Sequence, residues 1–162
     1  MSFQIRPYVK DKDEEAWAYI RAKTWQTAYE GLLPPEVLEQ VDIEQSLRIL
    51  AQIPYEIIMA YDGDSPAGYI VFTEQSPINS AEAEILSINV LMEYENQGIG
   101  TALIQEALSH HQTRKFRLEV LANDVAGISF FQKQGFVLSG NKRMIPFLPT
   151  YQLEVVEMKQ KS

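Results

Sequence analysis

The stretch INVLMEYENQGIGTALIQEAL, residues 88–108, constrains the fold more than any other part of the chain. Around its start, Ile85, Leu86, Ile88, Val90 and Leu91 form a run too continuously apolar for a strand wetted on one face. Such a run predicts a central strand covered on both sides. Beyond Gly98 and Gly100 the period changes: Leu103, Ile104, Ala107 and Leu108 recur as the buried stripe of a helix. A buried strand that passes through a glycine turn into an amphipathic helix belongs in a layered fold, with helices packed on a sheet.

The flanking sequence supplies the other layers. FQIRPY alternates as a first strand ended by Pro7. Asp11 or Asp13 is placed to cap a helix running to about Ala28, with Ala16, Trp17, Ile20, Thr24 and Ala28 near one face. GLLPPEVLEQVDIEQSLRIL predicts a turn and two short helices, with Pro35 in a first-turn position. YEIIMAY and AGYIVFTEQ read as a hairpin joined by DGDSP. FRLEVLA follows as a short strand, DVAGISFFQKQ as a helix stopped at Gly135, and FVLSGNKR with TYQLEVVEM as a closing pair of strands. The sum is an α/β (α+β) fold, a mixed sheet of about seven strands with helices on its faces, in one domain spanning residues 1–162.

Composition narrows the function. At 162 residues, 46% of them hydrophobic, the chain can bury one sizeable core without cross-links. No window approaches the ~18 apolar residues of a membrane span, and MSFQIRPYVK lacks the apolar core of a secretory signal. The absence of cysteine excludes disulfides, thiolate metal sites and a cysteine nucleophile, and fits a cytoplasmic protein. His110 and His111 have no acidic or cysteine ligands at metal-binding spacing, so no metal is expected. A formal charge of −8 argues against nucleic acid and suits a cationic substrate, while leaving room for a small anion held by backbone amides.

The glycine turn is where such an anion would sit. A strand that ends in QGIG and opens a helix puts backbone amides at the positive end of the helix dipole, and glycines permit close approach. The spacing is neither a P-loop nor G-x-G-x-x-G, because Leu103 occupies the last position. A purely structural turn explains the two glycines equally well.

Three stretches together resemble the GNAT superfamily of acyl-CoA-dependent N-acyltransferases. Val90, Gly98 and Gly100 match three marked positions of its motif V-x-x-x-x-[QR]-x-x-G-x-[GA], and Glu95 stands at the Gln/Arg position. NDVAGISFFQKQGF resembles a second signature at Asn123, Ala126, Phe130, Phe131, Lys133, Gly135 and Phe136. WQTAYEGLLPPEVL is similar to the W-x-x-x-Y-x-G-x-x-P of one bacterial subgroup.

The resemblance implies a mostly antiparallel sheet whose central strands splay, and transfer of acetyl from acetyl-CoA to a primary amine without a covalent enzyme intermediate. It implies pyrophosphate on the turn from Glu95 and Asn96 through Gln97, Gly98, Ile99 and Gly100 to Thr101. The pantetheine arm would pair with the backbone near Ile88 and Val90 as an added strand, and Asn123 would bond the arm or cap its own helix. Glu84 matches the family's general base, which the chemistry needs because a protonated amine is not a nucleophile; a plain strand residue is the alternative. Phe131 stands where a tyrosine usually protonates the departing thiolate, which leaves Tyr94 or Tyr151, or unassisted departure. Trp25 and Tyr29 would line the acceptor pocket. The partners implied are a small-molecule or peptide amine, with neither nucleic acid nor membrane and with room for a homodimer. The departures at Glu95 and Phe131 keep a second reading open, a module of the same fold that binds coenzyme A without turnover.

Overall fold

The structure is a computed structural model that describes residues 2–161; Met1 and Ser162 lie outside the described residues. The elements run β1 (Gln4–Pro7), α1 (Glu14–Ala28), α2 (Pro35–Leu38), α3 (Ile43–Leu50), β2 (Glu56–Asp62), β3 (Ser65–Thr73), β4 (Ala83–Val90), α4 (Ile99–His110), β5 (Phe116–Leu121), α5 (Val125–Lys133), β6 (Phe136–Leu148) and β7 (Tyr151–Gln160). The strands pair in the order β1, β2, β3, β4, β5, β7, β6, which places the apolar run of β4 in the middle of a seven-stranded sheet. Pairing is mostly antiparallel. Strands β4 and β5 pair in parallel, where Ala83, Glu84 and Ile85 face Phe116, Arg117 and Leu118. This is the α/β fold expected from the periodicities.

Contacts divide the chain into two compact units, one holding the residues up to Phe72 with Ser87–His110, the other Thr73–Leu86 with the residues from His111 onward. In the first, α1 buries Trp17, Ala18 and Ile20, β3 buries Tyr69, Ile70, Val71 and Phe72, and α4 buries Leu103, Ile104 and Ala107. Gly68 is required where β3 runs against β4: a Cβ there would stand 2.8 Å from the Asn89 carbonyl oxygen.

Asp13 sits at the head of α1 but does not cap it. Its carboxylate accepts from Val9 N at 2.7 Å, from Arg6 at 2.7 and 2.9 Å and from Tyr61 Oη at 2.8 Å. Burial alone would raise its pKa; these donors outweigh it and hold the group at about 2. Asp42 is a true cap, accepting from Gln45 N at 2.8 Å.

In the second unit Phe116, Leu118, Phe136 and Met158 form the core, and β6 and β7 make the expected hairpin. Helix α5 ends at Lys133, and Gly135 at φ +92° turns the chain into β6.

Candidate active site

In the first unit, β4 hands over to α4 through a short reversal. The Leu91 amide donates to the Ala67 carbonyl at 2.9 Å, and a 3₁₀ turn follows at Met92–Tyr94. Asn96 at φ +63° and Gly98 at φ +85° then complete the turn; Gly98 is the glycine this conformation demands. The Gly98 carbonyl accepts from Ala102 N at 3.0 Å, so Ile99 and Gly100 stand in the first helical turn. The amides there point along the axis beyond the helix end, where an anion is favoured. Ile99 is buried and pins the turn, whereas Glu95, Asn96, Gln97 and Gly98 are exposed. No acidic side chain occupies the first turn of α4, and no atom comes within 4 Å of where a Gly98 Cβ would lie. The turn therefore offers donors and space to a phosphate-sized anion.

Strand β4 has two unlike faces on this unit. Ile88 and Val90 are half-buried, while Asn89 is buried. Asn89 Nδ2 donates to Tyr69 Oη at 2.6 Å, and the Tyr69 ring stacks on Trp17 with centroids 4.7 Å apart. Burial pushes the Tyr69 phenol pKa up, against the pull of Ser87, Asn89 and the Arg21 charge. Neither Tyr69 nor Asn89 was expected at the site. The signal was present, since a polar residue inside an apolar central strand must find a partner when buried. Trp25 and Tyr29 meet edge to face at 4.8 Å, and the Arg21 guanidinium lies over the Trp25 ring at 5.3 Å.

The second unit holds Glu84, Asn123 and Phe131. Glu84 is buried on β4, and its Oε1 accepts from Arg117 Nη1 at 2.7 Å and from Ser76 Oγ. Arg117 is 1% exposed and also donates through Nε to Glu157 at 2.8 Å. Glu84 is thus fixed by one oxygen, and among the described residues its Oε2 accepts no hydrogen bond; a proton-accepting role would use that atom. Asn123 precedes α5, but the cap is Asp124, whose Oδ1 accepts from Gly127 N at 3.0 Å. Phe131 is buried against Phe130 and Phe136, with centroids at 5.3 and 6.2 Å.

Comparison with known proteins fits this geometry. Residues 10–136 match the acetyltransferase (GNAT) family. Over 72 residues the chain is 35% identical to the protein YdhI of Bacillus subtilis (strain 168), a match that spans 43% of this chain and only 41% of that relative. Among solved structures, the PaiA N-acetyltransferase from Thermoplasma acidophilum, in complex with coenzyme A, superposes with a TM-score of 0.74 at 21% identity over 100% of both chains. The ribosomal-protein-S18-alanine N-acetyltransferase from Escherichia coli gives 0.68 at 18% identity, over 98% of this chain and 93% of that one. At such identities the structural likeness concerns the fold, while the family match covers most of the sequence. This chain belongs to the GNAT acetyltransferase family.

Proposed function

We propose that this protein is an N-acetyltransferase that moves the acetyl group of acetyl-CoA to a primary amine by direct attack, in the cytoplasm. The observation that carries the reading is the turn at Asn96 and Gly98, open, with no acid in the first turn of the helix that follows, and set at the positive end of α4. Its amides would take the pyrophosphate, from Asn96 to Thr101. The backbone at Ile88 and Val90 would pair with the pantetheine arm as an added strand.

In the reaction the amine lone pair forms a bond to the thioester carbonyl carbon, the carbon–sulfur bond breaks, and coenzyme A leaves as the thiolate. The amine must first lose a proton, and Glu84 Oε2, directly or through a water, is the acceptor we assign. With no cysteine in the chain, an acyl-cysteine route does not exist. Phe131 has no hydroxyl to give, so the thiolate leaves without that helper. Asn123 and the Trp25–Tyr29 pair are assigned to the cofactor arm and the acceptor respectively.

Two assays test this. Titration with acetyl-CoA should show binding that Gly98→Val weakens by about tenfold or more, because Val resists φ +85°. Thiol release over an amine panel of polyamines, aminoglycosides and peptide N-termini should then show turnover. Binding without release on any amine would instead make the protein a coenzyme A-binding module, as Glu95 and Phe131 would suit.

A further inference from the structure

Helix α1 turns a stripe of hydrogen-bond donors inward. Trp17, Arg21 and Thr24 follow at helical spacing and are 1%, 7% and 8% exposed. Among the described residues, Trp17 Nε1 and Thr24 Oγ1 are buried without a hydrogen-bond partner. Arg21 spends both hydrogens of Nη1 on neutral groups, Gln45 Oε1 at 2.6 Å and Ser46 Oγ at 2.9 Å. Its flat face lies over Trp25. No carboxylate of the described residues pairs with it, and burial pushes its pKa down.

A buried cation with no counter-ion is costly, and so is each orphaned donor. All three groups share one need, an acceptor. The Nε–Nη2 edge of Arg21 remains for it, and that edge is the fork that engages a carboxylate through two parallel hydrogen bonds. The stripe also adjoins the strand assigned to the acyl arm: Trp17 stacks on Tyr69, and Tyr69 accepts from Asn89, which lies between Ile88 and Val90.

We propose that Arg21, with the neighbouring donor of Thr24, binds a carboxylate carried by the acceptor, so that the substrate is an amino acid-like amine. This rests on the acetyltransferase reading above and names its substrate class. Arg21 supplies recognition alone and takes no part in proton transfer.

The test is thiol release with matched pairs: glycine, β-alanine and γ-aminobutyrate against ethylamine, propylamine and butylamine, with aminoethylphosphonate as the phosphate-type control. Wild type should favour the carboxylated member by at least about tenfold in kcat/KM, and Arg21→Gln should erase that preference, mainly through KM, without moving the acetyl-CoA KM. Arg21→Gln should keep or raise the Tm, since it removes an uncompensated charge. Thr24→Val should weaken the carboxylated acceptor severalfold and leave the alkylamine unchanged. Equal use of both members, activity confined to the phosphonate, or equal loss on both members in Arg21→Gln would overturn the proposal. If no amine releases thiol, the acetyltransferase reading falls, and titration of γ-aminobutyrate into the coenzyme A-saturated protein then decides. Binding lost in Arg21→Gln supports the carboxylate site, and no binding to wild type removes it.

Discussion

Two buried arginines in this molecule are treated in opposite ways. Arg117, in the second unit, meets three carboxylates: Glu84 at 2.7 Å, Glu157 at 2.8 Å and Glu119 at 3.3 Å. Arg143 braces Glu119 from the other side, and Ser139 and Asn141 complete Glu157. Burial would lower the Arg117 pKa, yet these acids raise it. Arg21, in the first unit, has a glutamine and a serine as its hydrogen-bond partners among the described residues, and burial wins. The chain has compensated one charge fully and left the other to be completed. The first pattern holds a fold together; the second leaves a hydrogen-bonding edge of the guanidinium for a ligand.

The largest expected effect separates the two directly. Arg117→Met strands three buried or half-buried carboxylates and should cost about 3–5 kcal/mol, or prevent folding, in urea unfolding. Arg21→Met should stay within about 1 kcal/mol of wild type or exceed it. Equal losses would erase the distinction.

Next comes Glu84, where structure and chemistry share one carboxylate. Glu84→Gln keeps a group for Ser76 but removes a charge from Arg117, so the Tm should fall. If Oε2 is the base, kcat should also drop by about 10² with coenzyme A affinity unchanged. A lower Tm with wild-type kcat would leave Glu84 as a strut alone.

Acid sensitivity should come from the Arg117 network and from Asp13, whose carboxyl is likewise held at about 2. The Glu157 pKa is lowered from 4.5 to about 2: burial opposes the shift, and Ser139, Arg117 and Asn141 bring it about. A depressed carboxylate contributes stability that is present above its unfolded pKa and lost as pH falls through the folded one. The loss should therefore appear between pH 4.5 and about 2, and Glu157→Gln should remove the share that Glu157 contributes while leaving that of Asp13. The hydrogen-bond partners of Arg21, Gln45 and Ser46, carry no titratable group. If acid unfolding is as steep in Glu157→Gln, the network is not its source.

The smallest effect concerns the turn. Glu95 is exposed, so Glu95→Gln should tighten coenzyme A only modestly, and more at low salt, where screening over ~8 Å is relaxed. A gain absent at every ionic strength means that the carboxylate faces away.

What the sequence revealed was whatever depends on near neighbours. Period and turn chemistry located all seven strands and the helices between them, and marked Gly98 and Gly100 for the turn, of which Gly98 is the left-handed one. Pairings across long separations were hidden. Asp13 has a cap's position, but Arg6 and Tyr61 claim it, the latter 48 residues away. Glu84 meets Arg117 across 33 residues, and Arg21 meets Ser46 across 25. Trp17 and Thr24 were legible as an inward face of α1, and Arg21 lies four residues after Trp17, inside that stripe. An arginine on a buried helix face was the available sign. The overall charge of −8 points to a cationic substrate, yet a local cation such as Arg21 sets its own demand.

The most direct test of the whole account is the mass balance of one reaction. Acetyl-CoA is incubated with the best amine of the panel, and both the small molecules and the protein are weighed by mass spectrometry. The account predicts one acetylated amine for each coenzyme A released, and a protein of unchanged mass at every time. An acetylated protein that accumulates before product, or acetyl-CoA that stays bound and unconsumed with every amine, would contradict it.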